Sequence, residues 1–501
     1  MKLLVSSQIK AWDKYTIENE PIISIDLMER ASLSFIKWFV SQPDHQARKI
    51  IIICGNGNNG GDGLAIARLL RDRFFEVEVY VLRFLSQDSI DFDINLGRLL
   101  NYGDVKVYFI HDDIFQWSYD KIIVDALLGT GTNKPVTGIL QKVIRYINET
   151  PFNKVISVDM PSGLPSEGIA FGDAVESDVV FTFQLPKLSF FLKENAIFCE
   201  DWKVGNIGLD VSYSEQIFSD IYLVDKNLIT GIYQKRSTFG HKGDYGHALI
   251  IAGSNDMLGA AVLAVKACLK SGTGLVTAMI PIDGKEIIHM SVPEAIVKSS
   301  GQLFFDIVDF VPDLKYTIGV GPGLGRQNQT VIALKHLIKN CTKPLVLDAD
   351  ALNIIADEKE LLEQLPPGSV ITPHPKEFER LFGKTSDSQA MYDLQKEKSV
   401  LYKLNIVLKG AYTHITTPEG KTYINTTGNS GMATGGTGDV LTGIITGLMA
   451  QKYMPEQAAI LGVYLHGLSG DMALKKESVE SLTASDIILN MGAAFRHVLR
   501  D

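Results

Sequence analysis

The run Ile50-Ile51-Ile52-Ile53-Cys54 is the strongest constraint on how this chain folds. Five consecutive apolar residues closed by a glycine leave no polar face for water, so the run reads as a strand covered on both sides. Strand-like runs recur at Val77 to Leu82, Val105 to Ile110, Ile122 to Leu128 and Val155 to Val158, and helical spacing lies between them at Leu64 to Arg73 and Ile139 to Ile147. Residues 7 to 41 also carry helical spacing, through Ile9, Trp12, Ile17, Leu27, Leu33, Phe35, Ile36 and Phe39. This alternation predicts βαβ units and a mainly parallel sheet.

The pattern breaks over residues 211 to 235, at Val211-Ser-Tyr-Ser-Glu-Gln and Asp225-Lys-Asn-Leu-Ile-Thr-Gly, although neither stretch has a flexible linker's composition. A second alternation then starts. Strands are expected at Ala248 to Ala252, Leu275 to Ile280, Tyr316 to Val320 and Leu345 to Leu347, with helices at Gly259 to Lys270 and Val331 to Ile338 and a mostly helical C-terminus. A length of 501 residues allows two to four domains. With no internal repeat, the chain reads as two different α/β folds, domains 1–212 and 225–501.

A net charge of -10 without any basic run argues against nucleic-acid binding, because the protein's field repels the phosphate backbone. Cysteines at 54, 199, 268 and 341 have neither CxxC spacing nor the density of a secreted disulfide scaffold, which fits a reduced compartment. No signal-peptide pattern opens the chain and no 18-residue apolar run crosses it. The expectation is a cytoplasmic protein with no membrane or nucleic-acid partner, and a homo-oligomer.

Two glycine-rich segments place close-approach backbone beside carboxylates. The first, Gly55-Asn-Gly57-Asn-Asn-Gly60, formally matches the dinucleotide fingerprint between a strand and a helix. Arg83 occupies the place where that fingerprint needs an acidic residue for the ribose, so an NAD dehydrogenase is a runner-up only. Asn59, Asp125 and Ser162, all oxygen-bearing and at strand ends, suit a group I or II cation. Asp125 has a plainer reading as a strand-end cap. The second segment, Thr434-Gly-Gly-Thr-Gly-Asp439, sets three glycines before an apolar helix, where free N–H groups would face a transferring phosphoryl group. Asp439 then opens that helix as a base, or as a simple N-cap.

The fuller string Gly55-Asn-Gly-Asn-Asn-Gly-Gly-Asp62-Gly63, with Val124-Asp125-Ala-Leu-Leu-Gly-Thr-Gly131 and Ser157-Val-Asp159-Met-Pro-Ser162-Gly163, resembles the YjeF N-terminal domain over roughly residues 1 to 210. That resemblance implies a Rossmann-like fold and NAD(P)H-hydrate epimerase activity, with potassium held by Asn59, Asp125 and Ser162. It further implies that the hydrate is surrounded by Asn58, Asn59, Gly60, Gly61, Asp62, Gly129, Thr130, Gly131, Thr132, Asn133, Lys134 and Pro135, with Asp159 beside the altered ring. Asp159 is the first choice for proton transfer, which must act within hydrogen-bond reach of the hydroxyl-bearing carbon. Lys187 is the second, with a solvated surface lysine as its plain alternative.

Lys242-Gly-Asp-Tyr-Gly-His-Ala-Leu-Ile-Ile-Ala-Gly253-Ser254, Gly319-Val-Gly-Pro-Gly323-Leu-Gly, Leu347-Asp348-Ala-Asp350-Ala-Leu-Asn353 and Thr372-Pro-His374-Pro-Lys-Glu377 look like the YjeF C-terminal, ribokinase-like ADP/ATP-dependent NAD(P)H-hydrate dehydratase, over roughly 225 to 501. By that resemblance Ala260, Gly323, His374 and Asp439 contact the hydrated nucleotide. Lys409, Gly410, Ala411, Tyr412, Thr413 and Gly438 contact ADP or ATP, Glu377 organises magnesium, and Asp439 is the base. His374 stands where ribokinase relatives commonly carry Asn, and as an ordinary histidine it would have no ligand role. Met257-Leu258 stand where many members carry an aromatic before Gly259-Ala260. The resembling dehydratases accept one hydrate epimer, so an epimerase on the same chain lets both be repaired. The alternative is a ribokinase-like small-molecule kinase with a nucleotide-sensing N-terminal domain.

Overall fold

The computed structural model describes residues 1–45, 49–111, 116–307, 310, 311 and 313–499. It divides into two compact units, Lys2–Ser219 and Asp220–Asp501, the latter with Met1.

In the N-terminal unit the described strands are β1 (Ile50–Gly55), β2 (Val77–Leu82), β3 (Lys106–Ile110), β4 (Ile122–Ala126), β5 (Lys154–Val158), β6 (Val179–Phe183) and β7 (Trp202–Gly205). They form one parallel sheet in the order β3-β2-β1-β4-β5-β6-β7. All six residues of β1 are buried, as a central strand with helices on both faces requires. Strand order reverses between β1 and β4, the crevice where open α/β sheets take their ligands. The helix Asn58–Arg71 starts there. It lies so close to the sheet that a Cβ on Gly63 would sit 2.6 Å from the Ala126 Cβ and 2.8 Å from Cys54 Sγ.

The C-terminal unit holds β8 (Ile221–Val224), β9 (His247–Ile251), β10 (Leu275–Ile280), β11 (Ile296–Ser299), β12 (Tyr316–Val320), β13 (Val346–Leu347), β14 (Val370–Ile371), β15 (Asn405–Leu408), β16 (Thr413–Thr416) and β17 (Thr422–Asn425). Their order is β11-β10-β9-β12-β13-β14-β15-β16-β17-β8. Pairing is parallel except that β16 runs antiparallel to β15 and β17. The order reverses again, between β9 and β12. The helix Thr437–Ala450, buried from Val440 onward, covers the sheet beside the helix Leu258–Lys270. A Cβ on Gly443 would meet the Ala264 carbonyl oxygen at 2.1 Å, so glycine permits the two helix backbones to touch.

Mainly parallel α/β architecture therefore holds in both units. The division between the two units, at Ser219 and Asp220, falls inside the break expected at 211 to 235, but that stretch is not irregular: it contains the helices Val211–Gln216 and Lys226–Ile232 with β8 between them, and β8 closes the far edge of the C-terminal sheet against β17. Four residues are too few to establish a period-two pattern. The first glycine segment is also not a loop ahead of the helix, because Asn58 through Asp62 already form its opening turns.

Candidate active sites

At the carboxyl edge of the N-terminal sheet, Asp125 near the end of β4 is fully buried and takes four hydrogen bonds. Its Oδ1 accepts from Ser162 Oγ at 2.6 Å and Leu127 N at 3.2 Å. Its Oδ2 accepts from Ser157 Oγ at 2.7 Å and Ser162 N at 2.9 Å. Burial nevertheless pushes the carboxyl up, since these donors only partly offset the loss of water. Asn59 stands nearby: a Cβ on Gly129 would lie 3.3 Å from its Oδ1, and its buried Nδ2 has no hydrogen-bond partner. Asp125 does cap backbone amides, those of Leu127 and Ser162, but with only two of its four bonds.

Asp159 follows β5 with φ at +63°, a left-handed conformation that a non-glycine residue adopts under strain and that concentrates at functional sites. Its Oδ1 accepts from Lys187 Nζ at 2.7 Å, Phe183 N at 3.1 Å and Thr182 Oγ1 at 3.3 Å. The surface reading of Lys187 is overturned. Its side chain is 2% exposed, and its ammonium also donates to Thr182 Oγ1 at 2.8 Å and to the Phe183 and Leu185 carbonyls. The partner carboxylate and the ring of carbonyls keep that charge buried.

Two more carboxyl groups share this field. Burial pushes Asp62 well up, reinforced by Asp159, Asp91 and Asp13. Asp13, on the helix Ser6–Asn19, is pushed up to about 6, first by burial and then by Asp159, against Lys187 and Lys10. Asp13 had no signal in the sequence, being one polar residue of an amphipathic helix far from the glycine motif. In the segment after β4, Thr132 is buried with an unpartnered Oγ1, Gly129 and Thr130 are half-buried, and Gly131, Asn133, Lys134 and Pro135 are exposed.

In the C-terminal unit the helix Thr437–Ala450 has Gly436 as its N-cap at φ +90°. Gly438 and Asp439 lie in its first turn, so Asp439 neither opens the helix nor caps it, and the N-cap reading fails. Asp439 is half-buried. Burial first, and then Asp348 and Asp350 against the opposing Lys409, push its carboxyl up to about 7.

Lys409, at the end of β15, reaches Asp348 Oδ1 at 2.8 Å and stands 3.9 Å from Glu377 Oε2. Asp348 Oδ2 accepts from Thr442 Oγ1 at 2.8 Å. A Cβ on Gly438 would lie 3.3 Å from Lys409 Nζ and 3.5 Å from Asp348 Oδ2. Lys409, Asp348 and Glu377 thus meet two residues of the helix Thr437–Ala450, Gly438 and Thr442, in one place. Gly410 and Ala411 are exposed and Tyr412 and Thr413 half-buried, in the turn from β15 into β16.

His374 caps the helix Pro375–Phe382, its Nδ1 accepting from Lys376 N and Glu377 N, while Glu377 Oε2 accepts from His374 N at 2.8 Å. Burial and the Lys409 charge lower the imidazole pKa, keeping the ring neutral as that role needs. Gly323, at φ +59°, packs where a Cβ would meet Met257 at 2.8 Å and Ala260 at 3.1 Å, which brings Ala260 and Gly323 together. Asp350 accepts from Gly325 N at 2.9 Å and fixes the Gly-Pro-Gly-Leu-Gly turn. Among the described residues, no group of three or more His, Cys, Asp or Glu is arranged to hold a metal, and no helix is long and apolar enough to cross a membrane.

A Rossmann-like unit followed by a ribokinase-like unit, each with a glycine-lined helix start beside perturbed carboxyl groups, defines a two-domain α/β enzyme with a separate site in each domain. Family models match residues 24–189, as YjeF-related protein N-terminus, and residues 248–491, as NAD(P)H-hydrate dehydratase. The bifunctional NAD(P)H-hydrate repair enzyme of Moorella thermoacetica is 35% identical over 97% of this chain and 95% of its own. That of Thermofilum pendens is 33% identical over 100% and 97%. The crystal structure of the Bacillus subtilis ADP/ATP-dependent NAD(P)H-hydrate dehydratase, co-crystallised with ATP and Mg2+, is 30% identical over 55% of this chain and 98% of its own, with a TM-score of 0.48. The chain belongs to the bifunctional NAD(P)H-hydrate repair enzyme family.

Proposed function

We propose that this protein restores hydrated NADH and NADPH. The N-terminal domain, 1–212, interconverts the R and S epimers, and the C-terminal domain, 225–501, dehydrates the S form with ADP or ATP. One observation carries the reading: a half-buried carboxyl pushed up to about 7, Asp439, on a helix start made of bare glycine beside the half-buried Lys409.

Hydroxide leaves poorly, so the ring hydroxyl is first phosphorylated. Asp439 takes the hydroxyl proton while the oxygen bonds to the terminal phosphorus and the nucleotide's bridging P–O bond breaks, giving ADP from ATP or AMP from ADP. Amides of Gly435 to Gly438 and the Lys409 ammonium stabilise the charge on the transferring group. Phosphate then departs with the C–O electron pair, pushed by the ring nitrogen, and loss of a proton from the adjacent ring carbon restores the dihydronicotinamide. His374, Ala260 and Gly323 seat the hydrate, and the turn Gly410 to Thr413 seats the nucleotide.

A lone Glu377 suits magnesium, which keeps several waters and binds chiefly through substrate phosphates. When bound, that ion neutralises charge on the phosphates. At the epimerase, Asp125 carries an incompletely compensated buried charge, and Asn59 and Ser162 add neutral oxygens beside it, a donor set that fits potassium. Ser162 Oγ donates to Asp125 and accepts from Leu128 N at 2.7 Å, which leaves one lone pair for a cation. Asp159 moves the proton at the hydroxyl-bearing carbon, and Lys187 holds it aimed through the 2.7 Å bond to its Oδ1. Asn58 to Asp62 and Gly129 to Pro135 enclose the hydrate. The free thiols Cys54, Cys199, Cys268 and Cys341 accord with a cytoplasmic setting. A homo-oligomer, to be read by light scattering, completes the proposal.

The test is incubation of the purified protein with each hydrate epimer, with and without nucleotide and potassium. Recovery of dihydronicotinamide absorbance from the S hydrate only with nucleotide supports repair. A persistent phosphorylated product supports the kinase alternative instead.

A further inference from the structure

Asp348 breaks a local rule. It occupies the N-cap of the helix Ala349–Asp357, where an aspartate normally accepts that helix's own free N–H, yet its side chain makes no capping bond. Ala349 after it is held at φ +47°, a conformation unfavourable for a residue with a Cβ. The carboxylate, 1% exposed, is spent on Lys409 Nζ and Thr442 Oγ1. A forgone cap and a strained successor mark a site where local stability yields to another requirement.

That requirement is visible in what the two oxygens join. Oδ1 fixes Lys409 at the end of β15, and Oδ2 fixes Thr442, one turn beyond Gly438 on the helix that carries Asp439. We infer that Asp348 is the positioning residue of the dehydratase site, clamping the Lys409 ammonium against the Gly438 turn so that the cation faces the phosphoryl group in flight. The inference rests on the dehydratase reading above. Lys409 is a flexible side chain with three donors, and its charge stabilises a transferring group only if its position is set in advance. Asp348 sets it through the 2.8 Å bond to Oδ1, which holds the ammonium 3.3 Å from where a Cβ on Gly438 would stand. It also faces Asp439, together with Asp350 and Lys409. His374 and Glu377 lie within the field of both Lys409 and Asp348, and His466 contacts the Thr437 backbone. Loss of the Asp348 charge therefore lets Asp439 ionise at lower pH.

Three variants of the full chain test this: Asp348→Asn, Lys409→Met and both together, assayed for nucleotide-dependent recovery of NAD(P)H from the S hydrate as a function of pH. Asp348→Asn is expected to lower the plateau kcat about a hundredfold, the scale of losing one preorganised group at a reacting centre, and to move the acid limb of the profile to lower pH. In the Lys409→Met background it is expected to change plateau kcat by no more than about twofold, the scatter of uncoupled sites. An unchanged kcat in the single variant overturns the inference. So does an equal loss in both backgrounds with the acid limb unmoved, which is what a merely structural aspartate gives. If the single variant does not fold, the double variant, which leaves no buried charge unpaired, decides against Lys409→Met alone: equal plateaus support the clamp, and a further tenfold loss overturns it. Wild-type protein that recovers no NAD(P)H sinks the dehydratase reading itself, a different failure from active wild type with an indifferent Asp348→Asn.

Discussion

As the proposed base, Asp439 would serve catalysis and stability in opposite directions. Its carboxyl must be ionised to take a proton, and burial, Asp348 and Asp350 hold it up at about 7, so the dehydratase rate is expected to rise through neutral pH and then level. Asp439→Asn is expected to lower that rate by about 10²–10⁴-fold, the range of a lost general base. The folded pKa stands above the unfolded value of 3.8, so the folded state binds the extra proton between the two. The associated stability is present in acid and is lost as pH rises through about 7. Thermal denaturation of Asp439→Asn should therefore show a higher Tm than wild type above neutrality and convergence in acid; a difference indifferent to pH contradicts the assignment. Asp159, Lys187 and Asp439 were legible as candidates because each stands in or just after a glycine or proline motif. Asp13 and the role of Asp348 were not, since burial and the charges across a crevice depend on elements distant in sequence.

Two glycines at the start of the helix Thr437–Ala450 stand where a side chain has little room, for different reasons. Gly438 has helical backbone, so Gly438→Ala is expected to fold normally while its methyl crowds Lys409 at 3.3 Å, raising the nucleotide KM or lowering kcat about tenfold. Gly436 is at φ +90° with a Cβ site 2.5 Å from Leu263, so Gly436→Ala is expected to cost about 1 kcal/mol or more in denaturant unfolding. Normal stability in that variant, or a misfolded Gly438→Ala, reverses the distinction. Long apolar runs such as β1, β2 and β12 were legible nearly to the residue. Strands of two to four residues, β8, β14 and β15 to β17 among them, carry too few positions to show a period, and sheet pairing rather than pattern defines them; β13 was expected at Leu345 to Leu347 from its apolar run. The glycines of Asn58–Arg71 read as loop because glycine is a poor helix former, and close packing on the sheet overrode that preference.

At the scale of the molecule, two α/β units in one chain carry steps that need each other, because a dehydratase limited to one epimer leaves the other unrepaired. Asp159→Asn is expected to leave S-hydrate recovery intact while a mixture of epimers stops at its S fraction; complete recovery in that variant removes Asp159 from the epimerase. That two folds were present was legible from two separate βα alternations, whereas the edge strand drawn from the stretch between them was not. The most direct measurement is to give the full chain the purified R hydrate with ATP and follow the absorbance of the dihydronicotinamide. Full recovery with nucleotide, and only epimer mixing without it, is the predicted result. A stable phosphorylated product, or no recovery from R where S is restored, contradicts the account.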